Sequence, residues 1–360
     1  MKVVHIIMAF ETGGSETMLI DILNLQVLKL DVSLIIINDI HSKDLLLKID
    51  KRVNIVLLNR KQSSKNIFKL IVLNLKLLQF QPDIIHLHNP INLKYLFFNK
   101  KTVLTMHAML KIRIENDPNF IQKLKGFDKI VAISSSVKND FIKNGFQNTE
   151  NLLKIDNGIA LDSINFKSKI NQQDTFNIIQ VSRLDHNVKG QHILLEAIKE
   201  LIHHYQIKNI RLDFIGTGDS KPFLLQLVKK YKIEAYVRFL DFKDRDYIYE
   251  NLCKYDLFVQ PSLFEGFGLT VAEAMAAKIP VLVSNADGPM EIIDNGRYGY
   301  FFEIGDAKDC ASMIKEIKEK PVQEISKITE IAYERVSENY SIKNTVTKYL
   351  GIYKDLLNNQ

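Results

Sequence analysis

The chain has 360 residues, of which 46% are hydrophobic and 25% charged, with 15 glycines, 8 prolines and 2 cysteines. This composition excludes a disordered chain, a collagen-like repeat and a disulfide scaffold. The formal net charge is +6, but residues 1–170 hold 24 Lys and Arg against 15 Asp and Glu, so we expect the basic first half and the mildly acidic second half to meet different partners.

Short apolar runs rich in valine and isoleucine alternate with segments of helical periodicity through the first half of the chain. The runs lie at residues 3–8, 32–38, 83–88, 102–107 and 129–134. Near-continuous apolar strands are buried on both faces, and strand–helix alternation indicates parallel strands joined by crossover helices. The pattern therefore predicts a doubly wound, Rossmann-like α/β domain over residues 1–165.

The alternation stops in the polar segment 157–174, which is typical of a linker, and then resumes. Further strand-like runs lie at residues 176–182, 210–216, 236–240, 256–261 and 280–284. They predict a second Rossmann-like domain over residues 170–340, and the final helix, 341–358, is a candidate for packing back onto the first domain. Open α/β sheets bind ligands beyond the carboxyl ends of their strands, so we expect the active site in a cleft between the two domains.

The beginning of the chain and its cysteines predict a cytoplasmic protein. After Met1 the sequence enters a strand-like run at once, which leaves no room for a signal peptide. Cys253 and Cys310 do not form a metal-ligand pair, which fits a reducing compartment. The apolar segment 67–80 is interrupted by lysines and an asparagine, so no transmembrane helix is predicted.

One predicted helix carries lysines beside Phe68, Leu75 and Leu78: Lys61, Lys65, Lys69 and Lys76. They predict an interfacial stripe, which makes an anionic membrane surface a candidate partner, with peripheral attachment to the inner face of the cell membrane. The alternative is that the lysines are simply solvated and that the apolar residues belong to the core.

The segment EGFGLTVAEAMA, from Glu265 to Ala276, is the most specific motif and follows a predicted strand directly. Its later residues are good helix formers, and the free N–H groups at the start of a helix favour phosphate. Those N–H groups belong to Phe267, Gly268, Leu269 and Thr270. Glu265 before the helix and Glu273 inside it would accept hydrogen bonds from ligand hydroxyl groups, unless both are solvated glutamates beside an ordinary loop.

A second motif, VSRLDHNVKG, spans residues 181–190. Arg183 is predicted at the end of a strand and Lys189 at the opening of the next helix, so that two cations converge. Such a pair would neutralise a diphosphate and support its departure as a leaving group. The alternative is that both side chains are solvated on the surface.

Gly13 and Gly14 follow the first predicted strand and precede a helix. They resemble a phosphate-binding glycine turn, although a tight turn alone explains them equally well. The segment has neither G-x-G-x-x-G nor a P-loop pattern, which argues against a dinucleotide cofactor. We therefore predict no cofactor.

Histidines at predicted strand ends and one acidic triplet are the candidates for a metal site. His86 and His88 share a strand face, but a metal would need a third histidine or a carboxylate nearby, so a structural role is favoured for them. Residues 244–246 spell D-R-D, the pattern of metal-dependent transferases, yet they precede a helix, where capping aspartates are common. No metal site is predicted.

Taken together, these residues make the sequence resemble the retaining glycosyltransferase family 4, the group 1 glycosyltransferases, which have the glycosyltransferase B fold. The resemblance covers nearly the whole chain. It depends on the GGSE loop, the N-G-I segment at 157–159, the VSRL and KG elements, FIGTGD at 214–219 and, most specifically, the E-x7-E element from Glu265 to Glu273.

The resemblance implies a role for each candidate residue. Glu273 would bind the ribose of a sugar nucleotide, Glu265 a hydroxyl of the transferred sugar, and His107 would lie near the anomeric carbon. Arg183 and Lys189 would bind the diphosphate. The remaining donor-binding positions implied are Gly13, Gly14, Gly216, Lys243, Phe267, Gly268, Leu269 and Thr270, with Gly216 and Lys243 near the base.

The chain departs from the family pattern in two places. Asp241 follows Phe239 and Leu240 where the family commonly has glycine, and Ala108 follows His107 where an acidic residue or threonine is frequent. Neither departure touches the phosphate or ribose positions, so the expected activity stands while the identity of the base is less certain.

The expected protein is a retaining glycosyltransferase (EC 2.4) that moves a sugar from a nucleoside-diphosphate sugar, with a UDP-sugar favoured, to a glycan or lipid-linked oligosaccharide. The pathways implied are lipopolysaccharide, O-antigen or capsule biosynthesis. Two alternatives stay open: a sugar-nucleotide 2-epimerase of the same fold, and a non-catalytic nucleotide-sugar-binding module. Nucleic acid is not expected as a partner, because the basic residues lack interleaved aromatic platforms.

Overall fold

The computed structural model divides the chain into two compact units. One consists of Met1–Gly158 together with the residues from Ile342 onward, and the other is Ile159–Ser341. The structure describes residues 1–62, 64, 68–90, 93–97, 100–110, 114, 117, 119–167 and 174–358. Lys65 of the predicted interfacial stripe and residues 168–173 of the predicted linker lie outside the described residues.

The first unit contains a seven-stranded, wholly parallel sheet with the strand order β3-β2-β1-β4-β5-β6-β7. Its strands are β1 (Lys2–Ile7), β2 (Asp31–Asn38), β3 (Asn54–Arg60), β4 (Ile84–Leu87), β5 (Lys101–Met106), β6 (Lys129–Ala132) and β7 (Leu152–Lys154). All five predicted strands are confirmed. The two that were missed, β3 and β7, are the edge strands, and β3 is largely exposed, so it lacks the doubly buried pattern of the central strands.

The described helices of this unit connect its strands in the manner of a doubly wound sheet, with one more helix from the end of the chain. They are α1 (Gly14–Gln26), α2 (Lys43–Leu47), α3 (Phe68–Phe80), α4 (Phe120–Leu124), α5 (Ser135–Lys143) and, from the end of the chain, α14 (Ile342–Asn358). Helix α14 packs against α1, and the Thr345 hydroxyl donates to the Asp156 carbonyl at 2.9 Å. A Cβ on Gly158 would lie 2.6 Å from the Ile342 Cα, so only glycine fits at this point of the N-G-I segment.

The second unit contains a six-stranded parallel sheet with the strand order β10-β9-β8-β11-β12-β13. Its strands are β8 (Phe176–Val181), β9 (Ile210–Ile215), β10 (Val237–Phe239), β11 (Leu257–Gln260), β12 (Val281–Ser284) and β13 (Tyr300–Phe302). The five predicted strands are again confirmed. The missed strand β13 has only three residues, too few to show a periodic pattern.

The helices of the second unit are α6 (His186–Lys189), α7 (Gln191–His203), α8 (Lys221–Tyr231), α9 (Arg245–Asn251), α10 (Leu269–Ala276), α11 (Asp287–Ile292), α12 (Ala307–Glu319) and α13 (Val322–Asn339). The longer ones are amphipathic. Helix α7, for example, buries Leu194, Leu195 and Ile198 against the sheet and against α12. Burial of such side chains stabilises each by about 1.5 to 3 kcal/mol. Each unit is therefore a doubly wound α/β domain with its own core.

No helix within the described residues combines the length and the apolar character needed to cross a membrane.

Candidate active site

The two strongest motifs follow β8 and β11, the neighbouring strands between which the strand order of the second sheet reverses. Strand β8 pairs with β9 on one side and with β11 on the other, so the chain leaves β8 and β11 towards opposite edges of the sheet. Ligands of doubly wound sheets bind at this switch point, beyond the strand carboxyl ends. The loop with Arg183 and Lys189 follows β8, and the loop with Glu265 follows β11.

Backbone contacts hold these two loops against each other. The N–H groups of Leu263 and Phe264 donate to the Val188 carbonyl at 2.9 and 3.2 Å. Gly190 ends α6 with φ +66°, and a Cβ there would lie 1.8 Å from the Pro261 carbonyl oxygen. Glycine is thus required on steric and conformational grounds. No role was predicted for Gly190, although the K-G dipeptide at residues 189–190 was a signal for it in the sequence.

This approach brings Lys189 to Glu265. The Lys189 Nζ lies 2.5 Å from Glu265 Oε2, and the two side chains are only 20% and 17% exposed. The predicted placement of Lys189 at the opening of a helix is wrong, because it ends the one-turn helix α6 and the left-handed Gly190 separates it from α7. A partly buried ion pair of this kind is costly to leave unpaired, so both charges are held in place at the switch point.

Buried glutamines fix the loop after β8. Gln180, on β8, donates from Nε2 to the Lys189 carbonyl at 3.1 Å, and Gln191 donates to the Arg183 carbonyl at 2.9 Å. The Arg183 guanidinium is 69% exposed and lies 3.1 Å from Asp185. The loop backbone is therefore rigidly bonded while the guanidinium remains exposed and able to reach an anion. The sequence signal for this role of Gln180 was its position as a polar residue inside the apolar run FNIIQVS.

The first N–H groups of helix α10 take no part in its intrahelical hydrogen bonds. Gly268 caps it with φ +107°, and the N–H groups of Val271 and Ala272 both donate back to the Gly268 carbonyl. The N–H groups of Leu269 and Thr270 therefore precede the first intrahelical bond and lie at the positive end of the helix dipole. They are two of the four donors that the sequence predicted for a phosphate group, the others being Phe267 and Gly268. Phe267 itself is buried, with its ring packed edge-on against Tyr340.

Glu273 lies one turn further into α10. The Tyr249 hydroxyl, from α9, donates to Glu273 Oε1 at 3.0 Å, which orients the carboxylate. Tyr249 is therefore a further candidate residue of the site, acting through Glu273. No motif indicated it, because it lies on a separate helix.

The predicted base-binding residues lie at the ends of β9 and β10. Gly216, with φ +135°, donates to the Asp241 carbonyl at 2.9 Å, and a Cβ on it would lie 2.0 Å from the Ser182 carbonyl oxygen. Asp241 has φ +58°, the region that favours glycine. The departure from the family's glycine therefore keeps the backbone conformation that glycine would adopt.

The neighbouring loop contains Lys243, whose Nζ lies 5.1 Å from the centre of the Tyr247 ring. Asp244 is the N-cap of α9, and its Oδ1 accepts from the Tyr247 N–H at 2.9 Å. The capping interpretation of the D-R-D triplet is confirmed for Asp244.

In the first unit, Gly13 and Gly14 follow β1 as predicted and start α1. Gly13 is extended, with φ −163°, and its carbonyl accepts from the Thr17 N–H at 3.0 Å. Glu16 places a carboxylate in the first turn, where burial raises its pKa. A plain helix-starting turn and a phosphate-binding turn both fit this geometry.

A third histidine, His5, which was not among the predicted site residues, joins the predicted pair inside the first unit. Nitrogens of His5, His86 and His88 lie within 4.8 Å of one another, and all three side chains are buried. His5 lies within hydrogen-bond distance of Gln26 through Nε2 and of His88 through Nδ1. His86 lies within that distance of Tyr353 through Nδ1 and of Thr105 through Nε2. A metal ion would have to replace these bonds, so the contacts favour the structural role.

A chain with two doubly wound units, and with cations and helix-terminal donors at the switch point of the second, has the architecture of the B-fold glycosyltransferases. The fold is also that of a glycosyltransferase from Rickettsia africae, at 22% identity over 100% of this chain and 99% of the other with a TM-score of 0.81. It is likewise that of Anabaena HepE in complex with UDP and glucose, at 21% identity over 98% and 99% of the two chains with a TM-score of 0.83.

The profile described as Glycosyl transferases group 1 matches residues 162–335, and that described as Glycosyltransferase Family 4 matches residues 12–163. The chain belongs to the group 1 glycosyltransferases. Among curated relatives, the sucrose synthase of Nitrosomonas europaea is 32% identical over 143 residues, which is 36% of this chain and 18% of that protein. The matches to six such relatives span 17 to 60% of the relatives' own length.

Proposed function

We propose that the protein transfers a sugar from a nucleoside-diphosphate sugar, and that the donor binds at the switch point of the second unit. The observation that supports this best is the Lys189–Glu265 ion pair, since it brings a cation and a carboxylate together at the switch point, four residues before the N-terminus of α10. Membership of the group 1 glycosyltransferases supports the same reaction class.

The diphosphate would bind to Arg183, Lys189 and the N–H groups at the start of α10. As the bond between the sugar and the phosphate breaks, negative charge develops on the departing nucleoside diphosphate, and fixed cations and dipoles stabilise that charge. Glu265 both holds Lys189 and offers an oxygen to a sugar hydroxyl. No cofactor has a role in this scheme.

Glu273 would accept hydrogen bonds from the ribose, with Tyr249 fixing its orientation, and the base would lie near Gly216 and Lys243. In the first unit, His107, Gly13 and Gly14 keep the roles that the family resemblance implies. We favour a UDP-sugar donor, retention of anomeric configuration and a glycan or lipid-linked acceptor of lipopolysaccharide, O-antigen or capsule synthesis. These finer assignments rest on the resemblance alone.

A thermal-shift panel of UDP, GDP, ADP and CMP, each with magnesium and with EDTA, tests the donor site. A ligand present at about 100 times its Kd adds about 2.7 kcal/mol of stability, which raises the Tm by several degrees. We expect UDP to raise the Tm equally in EDTA. No shift with any of the four nucleotides would contradict the donor site.

Product analysis then separates the proposed reaction from its alternatives. A transferase releases UDP only when an acceptor is present, beyond slow hydrolysis. A 2-epimerase converts UDP-GlcNAc without an acceptor, and a binding module gives a thermal shift without turnover.

Helix α3 has a surface that fits the anionic membrane partner. Four apolar side chains on one side of it are 60%, 43%, 58% and 54% exposed: Phe68, Ile71, Leu75 and Leu78. We call these residues the apolar face of α3. Lys69 and Lys76 lie on the same helix, whereas the predicted helical placement of Lys61 is wrong, because α3 begins only at Phe68. Large exposed apolar side chains beside cations are typical of helices that lie in the membrane interface.

We expect the protein to sediment with vesicles of phosphatidylcholine and phosphatidylglycerol, and to do so less as salt rises, because salt screens the lysines. Leu75→Glu with Leu78→Glu should abolish sedimentation. Leu47→Glu is the matched control, since Leu47 is 84% exposed on α2 and should leave it unchanged. Salt-independent sedimentation, or none, would contradict the membrane partner, and concentration-dependent dimers of the wild type that the double variant loses would indicate a second copy instead.

A further inference from the structure

A series of polar side chains crosses the interior of the first unit and ends at His107. Gln26, on α1, places Oε1 2.8 Å from His5 Nε2, and His5 Nδ1 lies 3.0 Å from His88 Nε2. His88 Nδ1 in turn lies 3.5 Å from His107 Nε2, the longest step of the series. The rings of His5, His88 and His107 are stacked in the same order. One amide is thus connected to the predicted active-site histidine through two buried imidazoles.

All three imidazoles are neutral at physiological pH. Burial lowers the pKa of His5 and of His107 to about 4, and it lowers the pKa of His88 well below its ordinary value. A neutral imidazole carries one proton, so one nitrogen donates and the other accepts. Fixing the role of one nitrogen in such a series therefore fixes the role of every nitrogen that follows.

The amide of Gln26 sets the direction of the series. Its Oε1 can only accept, so His5 Nε2 carries the proton and His5 Nδ1 accepts from His88 Nε2. By the same rule His88 Nδ1 accepts from His107, whose proton is then on Nε2. The remaining nitrogen, His107 Nδ1, is a bare acceptor. That atom is buried and has no hydrogen-bond partner among the residues that the structure describes.

Helix α14 supplies a partner for the amide nitrogen in this orientation. Gln26 Nε2 donates to the Tyr353 hydroxyl at 3.4 Å, and that hydroxyl lies 2.5 Å from His86 Nδ1. The Tyr353 proton is then free to donate to His86 Nδ1, which places the His86 proton on Nε2, 2.8 Å from the Thr105 hydroxyl oxygen. With the amide in this orientation, the polar groups of Gln26, Tyr353 and His86 all have hydrogen-bond partners. Tyr353 contributes the acceptor that the amide nitrogen needs.

We propose that Gln26 is a positioning residue that, through His5 and His88, keeps the proton of His107 on Nε2 and leaves Nδ1 to accept a hydrogen bond from a hydroxyl group of the substrate. The contact with substrate rests on the proposed function. The position of the proton does not, because it follows from contacts within the first unit.

Nitrogen-15 NMR of histidine-labelled protein measures the proton position directly, with the His107 signals assigned from a His107→Asn sample. We expect the His107 Nε2 signal in the protonated, pyrrole-type range and Nδ1 in the unprotonated, pyridine-type range. A wild-type protein with the proton on Nδ1 overturns the inference, whatever its activity.

Two tyrosines of α14 provide a matched pair of variants. Both are buried, but only Tyr353 contacts Gln26, whereas the Tyr349 hydroxyl contacts Thr105 at 2.9 Å. Tyr353→Phe should move both His107 nitrogen signals towards intermediate values, as the amide loses its preferred orientation, and Tyr349→Phe should leave them unchanged. Equal spectra for the two variants would contradict the role of Gln26.

Gln26→Met removes the amide at similar volume and should have the same spectral effect, with a fall in kcat of about two- to tenfold from the loss of one hydrogen bond. The KM for the donor should stay constant, because the second unit is unaltered. Unchanged His107 signals in folded Gln26→Met protein overturn the inference. If those signals shift but the wild type transfers no sugar, the proton arrangement stands and the proposed function fails.

Discussion

Lys189→Ala should lower kcat/KM about 10- to 150-fold, making it one of the two most damaging single substitutions that we expect. The side chain lies 2.5 Å from Glu265, which precedes the start of α10 by four residues, and there it would stabilise the departing diphosphate. Losing a hydrogen bond to a charged group costs about 1.5 to 3 kcal/mol of transition-state stabilisation, which corresponds to this decrease in kcat/KM. Steady-state release of UDP from the donor that the thermal-shift panel identifies is the measurement.

Lys278→Ala is the matched control for this substitution. Lys278 also belongs to the second unit, is 17% exposed and pairs with Glu330 at 2.8 Å, but it lies beyond the other end of α10. Both variants lose a partly buried cation and should stay folded, which thermal melts will check, while only Lys189→Ala loses activity. A Lys189→Ala enzyme with wild-type turnover would refute the placement of the diphosphate.

Glu273→Ala should weaken the binding of UDP at least tenfold, because a carboxylate is the strongest acceptor available for the two ribose hydroxyls. Glu273→Gln keeps the shape and should fall between the alanine variant and the wild type. The specific measurement is a comparison of UDP with 2′,3′-dideoxy-UDP by calorimetry. The wild type should prefer UDP, and Glu273→Ala should bind both nucleotides equally, since the interaction that distinguishes them is gone.

Tyr249→Phe provides the accompanying control. It keeps the carboxylate and removes only the hydroxyl that donates to it at 3.0 Å, so a smaller loss of UDP affinity is expected, with the preference for UDP over the dideoxy nucleotide retained. If Glu273→Ala still discriminates between the nucleotides as the wild type does, the ribose is bound elsewhere.

Much of the fold could be predicted because it depends on local periodicity. A central strand of a doubly wound sheet is buried on both faces, and β2 accordingly buries seven of its eight residues. The missed strands β3, β7 and β13 lie at sheet edges and are short or exposed. The E-x7-E element could be recognised for a similar reason, since a helix start and its glycine cap are encoded within a few residues.

The sequence by itself determined the two α/β domains, the positions of the glycine and glutamate motifs and the identity of the family. Only the tertiary structure decided that Lys189 pairs with Glu265, 76 residues away, and that Gln26 meets Tyr353, 327 residues away. Only the tertiary structure also showed that Gly190 lets the loops after β8 and β11 approach each other, and that Tyr249 donates to Glu273. Periodicity reports which face of an element is buried, whereas the order of strands in a sheet decides which distant side chains meet, and that order leaves no local signal in the sequence.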